Sequence, residues 1–374
     1  MLQPATEAEL SDAVQSAAGP LRIRGGGTRD VGNPVTGEAL AIGGLSGISL
    51  YEPGALTLVA EAGTPVADIE DALAGEGQRL PFEPMDHRAL LGTEGVPTIG
   101  GVVAANASGP RRIQAGACRD SLIGVRFVTG EGEIVKNGGR VMKNVTGYDL
   151  VKLMAGSYGT LGVLSEVSLK VLPAPDEAAS LSVFGLEPDR AVEALSSALG
   201  SPFEVSGAAH LPDDSDGPRT LVRIEGLSEQ VNYRTGKLKT LLSRFGDVVA
   251  DTDLASVERT WAAIRDVQPF ADESGDVWRL SVKPSDAPEI AKRSAGRVFF
   301  DWGGGLIWVL VPPGTNLRAR LGTFAGHATL IRAAEETRAA QEVFHPEAAP
   351  LAALSAGLRS KFDPRGILNP GLMA

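Results

Sequence analysis

Small residues crowd two stretches of this chain, and each requires a backbone to approach something closely. The first is Pro97-Thr98-Ile99-Gly100-Gly101-Val102-Val103-Ala104-Ala105-Asn106-Ala107-Ser108-Gly109; the second is Gly156-Ser157-Tyr158-Gly159-Thr160-Leu161-Gly162. Lacking a Cβ, glycine permits close contact and positive φ and leaves amide hydrogens free to point at an anion. A pyrophosphate suits such loops. A third glycine loop lies upstream, where the apolar run Leu21-Arg22-Ile23-Arg24 reads as a strand and enters Gly25-Gly26-Gly27-Thr28-Arg29-Asp30. Three glycines, a hydroxyl and flanking guanidiniums can hold phosphate through backbone amides and side-chain donors. Taken alone, that loop reads equally well as a surface turn.

Other nucleotide motifs fail on their spacing. Asp30 stands where Gly-x-Gly-x-x-Gly needs its last glycine, and Gly236-Lys237 is followed by Leu238 and lacks the preceding glycine of a P-loop. Length and composition narrow the class further. A chain of 374 residues that is 43% hydrophobic with 46 glycines is a globular protein of two or three units, not a disordered one. A net charge of −11 argues against a nucleic-acid footprint and against adhesion to anionic lipid, both of which need basic surface. Thr6 and Glu9 are spaced as a capping box in an acidic N-terminus that is no signal peptide. The best apolar run, from Val298 to Val311, is interrupted by Asp301 and three glycines. A cytoplasmic protein is expected, reaching a membrane only through a partner. Cys118, the single cysteine, excludes an internal disulfide and a cysteine-ligated iron–sulfur cluster within the chain, and reads as a buried inert thiol.

The order of the motifs carries more than any one of them. Arg24 to Thr28, Thr57 to Pro65, Leu80-Pro81-Phe82-Glu83-Pro84, Pro97 to Gly109, Lys143-Asn144-Val145-Thr146-Gly147-Tyr148-Asp149-Leu150 and Gly156 to Gly162 follow one another over nearly all of the first 175 residues. That series resembles the FAD-binding domain of the vanillyl-alcohol oxidase (VAO) type, also called the PCMH type. The closing Lys361-Phe362-Asp363-Pro364-Arg365-Gly366-Ile367-Leu368-Asn369-Pro370-Gly371 is similar to the end of FAD-linked hydroxy-acid oxidases and dehydrogenases. Over its whole length the chain resembles the family of FAD-binding E subunits of bacterial glycolate oxidases. It does not resemble as closely other FAD enzymes of this fold, such as the reductase that makes UDP-N-acetylmuramic acid.

The resemblance implies an α+β protein: a two-subdomain FAD-binding domain over residues 1–174, a ferredoxin-like antiparallel cap over 175–335, and a segment over 336–374 returning to the flavin. The strand and helix pattern from 181 to 250 independently reads as βαββαβ. Phosphate contacts are expected from Arg24, Gly25, Gly26, Gly27, Thr28, Thr98, Ile99, Gly100, Gly101, Asn106 and Ser108. The resemblance puts Gly159, Thr160, Gly162 and Val163 near the adenosine half, and Pro84, Tyr148 and Asn369 near the ring. Read by their residue types alone, those last three are a turn, a packed ring and a turn residue before proline. Thr28 stands where a covalently linking histidine is expected in some relatives, so FAD is expected to be non-covalent.

Departures from active relatives bear on activity. D-type relatives carry paired histidines and a carboxylate that bind a metal and the substrate; here the corresponding stretch is Phe299-Phe300-Asp301-Trp302-Gly303-Gly304-Gly305-Leu306-Ile307-Trp308-Val309, without a histidine. His87, His210, His327 and His345 are scattered with no ligand-like pair, so no metal is expected. Oxidising a 2-hydroxy acid also needs a base on the hydroxyl and a cation on the carboxylate. Arg279, Arg297, Arg318 and Arg332 are candidates for the cation, and no base can be named. Three readings follow: an FAD-binding subunit of a glycolate oxidase complex, with a D-type flavoprotein and an iron–sulfur F-type partner; a self-sufficient FAD-dependent 2-hydroxy-acid (D-lactate-like) dehydrogenase; and a flavin-free structural subunit.

Overall fold

Short-range chemistry starts the first element. Thr6 Oγ1 accepts the Glu9 N–H at 3.2 Å while the Glu9 carboxylate accepts the N–H of Ala5, just before the cap, at 2.8 Å, so the helix Glu7–Ser16 begins with its Glu9 amide capped and turns Leu10 and Val14 inward. The computed structural model describes residues 1–139 and 147–373. It divides into two units: Met1–Ser108, Gly116–Pro173 and Pro346–Ala374 form the first, and Gly109–Ala115 with Ala174–His345 the second.

The first unit is organised on a five-stranded antiparallel sheet, in the order Ile48–Glu52, Thr57–Glu61, Val163–Lys170, Leu122–Val128, Ile134–Gly138. Thr57–Glu61 and Val163–Lys170 are buried at nearly every position because both of their faces are covered. Ile69 and Leu73 of the helix Val66–Ala74, with Pro65 at its N-cap, join that core. Leu21–Arg24 stands apart from this sheet. It pairs in parallel with Glu38–Ala41, and its other edge is taken by the C-terminal segment, through Leu21 N–H to Ile367 O at 2.8 Å and Asn369 N–H to Leu21 O at 3.0 Å.

The second unit contains an eight-stranded antiparallel sheet. Glu177–Phe184, Pro188–Leu199, Gly207–Leu211, Arg219–Gly226, Ser228–Leu242 and Val248–Asp251 give the expected βαββαβ order, with strands arranged fourth, first, third, second. The rest of the unit repeats the pattern. Asp276–Val282, the helix Ala287–Ser294, Arg297–Asp301, Leu306–Val311, the short helix Leu317–Leu321 and Gly326–Arg332 form a second βαββαβ set with the same spatial order. The cap is therefore a tandem of two ferredoxin-like halves, a repeat that the residue pattern does not disclose.

The halves meet where the second strand of one lies beside the second strand of the other, paired at His210 and Phe300. Both residues are fully buried, with ring centroids 5.7 Å apart, and His210 Nδ1 lies 3.0 Å from Thr220 Oγ1. Burial pushes the His210 pKa down to about 4, so the seam holds a neutral imidazole. The unfolded chain takes up this proton near pH 6.5, which the fold refuses until about pH 4, so stability is lost as pH falls through that window. Each pH unit crossed inside the window removes about 1.36 kcal/mol, so between pH 7.5 and 5 this group withdraws about 2 kcal/mol. Urea denaturation at the two pH values checks it: His210→Asn should flatten the difference, and an unchanged pH dependence in the variant would show that the seam is not its source.

Candidate active site: a glycine-lined cofactor cleft

The three glycine-rich segments converge in the first unit. The loop after Leu21–Arg24 is no loose turn: a Cβ at Gly26 would fall 1.5 Å from the Val96 carbonyl oxygen, so only glycine lets these two backbones meet. Gly27 has φ +73°, and the Arg24 guanidinium lies directly over it. At Gly100, close packing on Ala62 leaves no room for a side chain, since a Cβ would lie 2.7 Å from the Ala62 carbonyl oxygen. Between these loops opens a cleft with an empty volume of about 1070 Å³, its open mouth included, at the upper end of the range for cofactor sites.

Twelve of the expected residues line it: Arg24, Gly25, Gly26, Gly27, Thr28, Thr98, Gly100, Gly101, Gly159, Gly162, Val163 and Asn369. Arg29, Ala104, Tyr158 and Leu372 line it too, and the sequence motifs assign them no contact. Arg29 is turned by its partners, donating from Nε to His87 Nδ1 at 3.1 Å and from Nη2 to Met85 O at 2.9 Å. Asn369 is held to 3% exposure; its Oδ1 accepts the Ile23 N–H at 2.8 Å and its Nδ2 donates to Tyr158 O at 2.9 Å. One amide side chain thus ties the first glycine loop's strand to the second glycine segment.

The other expected residues stand elsewhere. Asn106 Oδ1 accepts the Arg119 N–H at 3.0 Å and Ser108 Oγ accepts the Cys118 N–H at 2.9 Å, so both serve the short helix Cys118–Ser121 behind the cleft. The Ile99 and Gly100 amides are engaged by Thr64 O and Ala62 O. Thr160 Oγ1 donates to Ser157 O at 2.7 Å, and Pro84 is buried next to Met85 outside the cleft lining. Tyr148 is 88% exposed. Lys143 to Thr146 of its motif lie outside the described residues.

Two features fit a diphosphate. Thr98 Oγ1 is buried, lines the cleft and has no hydrogen-bond partner among the described residues, and a buried hydroxyl in that state is an unfilled donor. Arg24 reaches the same cleft with no ion-pair partner among those residues. No cluster of three metal-ligating side chains exists among the described residues. His327 and His345 do meet in the second unit, with ring centroids 5.5 Å apart. Spacing in the sequence leaves them scattered, and the structure joins them because Leu330 N–H bonds Val343 O and folds the chain back.

Comparison with known proteins agrees with this geometry. Residues 1–138 match the family described as FAD binding domain. A solved alkyldihydroxyacetonephosphate synthase superposes with a TM-score of 0.70 at 16% identity, covering 98% of this chain and 76% of that one, which establishes a common fold. Glycolate oxidase subunit GlcE of Escherichia coli K12 is 37% identical over 95% of this chain and 92% of its own length. Shorter matches reach glycolate oxidase subunit GlcD of Bacillus subtilis, at 32% over 39% of this chain and 30% of that protein, and a D-lactate dehydrogenase of Anaerostipes hadrus, at 36% over 40% and 31%. With its FAD-binding domain and its relatives, the chain is an FAD-linked oxidoreductase with FAD as its cofactor. The chain belongs to the glycolate oxidase subunit GlcE family.

Two outcomes are expected. Thr98→Val removes the unsatisfied hydroxyl, so the flavin-free protein should keep or gain stability while FAD binding weakens about tenfold, the loss of one hydrogen bond of about 1.4 kcal/mol. Parallel melting and FAD titration test this, and equal affinity in the variant would remove Thr98 from the phosphate site. Cys118 is fully buried and desolvation raises its thiol to about 12. Native protein should resist maleimide and react within minutes in denaturant; labelling in the native state would contradict the burial.

Proposed function

We propose that this chain is the FAD-binding subunit of a glycolate oxidase complex that oxidises glycolate to glyoxylate, working with a D-type flavoprotein and an iron–sulfur subunit. The reading is supported most by one contrast: a complete cofactor cleft in the first unit, and a cap whose Phe299 to Val309 stretch presents Asp301, Trp302 and three glycines but no histidine. Full-length similarity to a glycolate oxidase subunit supports it as well. The proposed division of labour gives substrate oxidation to the partner flavoprotein and gives this chain a flavin that passes electrons or stabilises assembly.

Within the chain, Arg24 and Thr98 Oγ1 bind the phosphates as cation and donor, and the glycine loops let the backbone come within hydrogen-bonding reach. Asn369 fixes the spacing between the strand Leu21–Arg24 and Tyr158. When bound, FAD supplies two-electron acceptance and one-electron release. Thr28 is buried and Cys118 is inert, so attachment is non-covalent; acid precipitation should leave the colour in the supernatant.

Absorbance spectra of the purified chain, alone and co-expressed with the two partner types, before and after anaerobic glycolate, test the whole reading. Flavin bands that bleach only with partners present are the expected result. Bleaching of the isolated chain would replace it with the self-sufficient dehydrogenase, and a chain that cannot be reconstituted with FAD would leave a scaffold.

A further inference from the structure

We propose that the helix Ala349–Phe362 is a docking element that inserts into an apolar groove, rimmed by carboxylates at one end, on a partner subunit of the complex. The proposal deepens the reading above and rests on it for the existence of that subunit.

No residue of this helix is buried, although it runs for 14 residues. Its last residue roots it in the first unit: the Phe362 ring lies 6.0 Å from that of Phe127, and the Phe362 carbonyl accepts the Gly130 N–H at 2.8 Å. From there outward only Arg359 and Ser355 are even half-buried. Leu351, Leu354 and Leu358 are 57%, 66% and 39% exposed. With 3.6 residues per turn the three fall within an arc of about 60°, the i, i+3, i+7 spacing by which a helix anchors itself in a groove. Single exposed leucines are ordinary, whereas three in one row on one helix mark a contact surface.

The rest of the helix identifies what covers it. A helix lying at a water boundary carries charged residues on its outer side. Between Ala349 and Leu358 there is no charged residue, and the positions other than the leucines are alanine, serine, glycine and one proline. Small uncharged residues all round suit enclosure and not a water-facing back. Size agrees: a rod about 21 Å long and about 10 Å across offers about 800 Å² of accessible surface over its whole circumference, which matches one side of a standard interface. A second copy laid along the leucines would cover only one side of that rod and fall short of what a stable dimer needs, while a groove wrapping the helix reaches it. Charge enters only in the last turn, as Arg359 and Lys361, with no acid anywhere in the helix although the chain carries a net −11. Those cations are complementary to carboxylates at the matching end of the groove.

Affinity recovery of the tagged full-length chain co-expressed with the D-type and iron–sulfur subunits provides the test, with melting and FAD titration of the chain alone as controls. Leu354→Glu, and Leu351→Glu combined with it, should melt within about 2 °C of the unaltered chain and bind FAD equally, since neither side chain supports the fold. Both should recover about tenfold less partner. Leu354→Met should recover as much as the unaltered chain, and Lys361→Glu should weaken recovery at low salt but not at high salt. Unchanged recovery with the folded double variant would overturn the docking helix. So would a homodimer of the isolated chain, or its sedimentation with anionic phosphatidylglycerol vesicles, that the same double variant abolishes, because the leucines would then serve a second copy or a lipid surface. The outcome separates from the functional reading: partner-dependent bleaching with recovery unchanged in the variants sinks only this helix, whereas variant-sensitive assembly of a chain that bleaches alone sinks only the assigned division of labour. An unaltered chain that assembles with neither partner sinks both.

Discussion

In the first unit the Asn369 side chain joins the strand before one glycine loop to the other glycine segment. Its amide is buried, which obliges both ends to be paired, and it pairs them with the backbone of two segments far away in sequence, at Ile23 and Tyr158. Among the described residues Leu21–Arg24 has one strand partner, and the C-terminal segment covers its other edge. The neighbouring Asp363 strengthens the same join, taking the Leu368 N–H at 2.7 Å, while Arg365 caps the Val14 and Gln15 carbonyls. The two glycine loops face each other across a cleft of fixed width because the last residues of the chain hold one to the other.

In the second unit the governing issue is charge in low dielectric. Arg111, Arg223 and Arg234 are all buried, and each is met by a carboxylate: Arg111 by Glu225, Arg234 by Glu204 and the Glu225 carbonyl, Arg223 by Glu225 at 3.5 Å with the Ser206 hydroxyl and carbonyl and the Trp261 ring. Removing one partner from such a set leaves an uncompensated charge, so these residues specify the packing of the first half against its helices more than they add net stability.

The second unit is a tandem of two like halves. Each half brings two helices to a four-stranded sheet, and joining the halves at His210 and Phe300 yields one eight-stranded surface. A neutral histidine at that join costs nothing above its unfolded pKa and penalises the fold only in acid.

Local chemistry was legible in the sequence. The capping box at Thr6, the strand into Gly25-Gly26-Gly27, the helix after Pro65 and the first βαββαβ set follow from hydroxyls, glycines, prolines and hydrophobic period, which act within a few residues. The ordered motifs pointed to an FAD-binding domain through resemblance to a known family, since glycines alone also serve close packing of one backbone on another, as at Gly26 and Gly100. Tertiary structure alone decided the rest. Which loop amides remain for the ligand depends on Thr64 and Ala62 taking two of them; Asn106 and Ser108 turned from the cleft because the Cys118–Ser121 helix needed its own amides satisfied; the second ferredoxin-like half was hidden because its repeat is one of topology and not of residues. Arg112 and Arg279 both reach the ring of Trp302, a contact set by packing between distant segments, which no local propensity encodes.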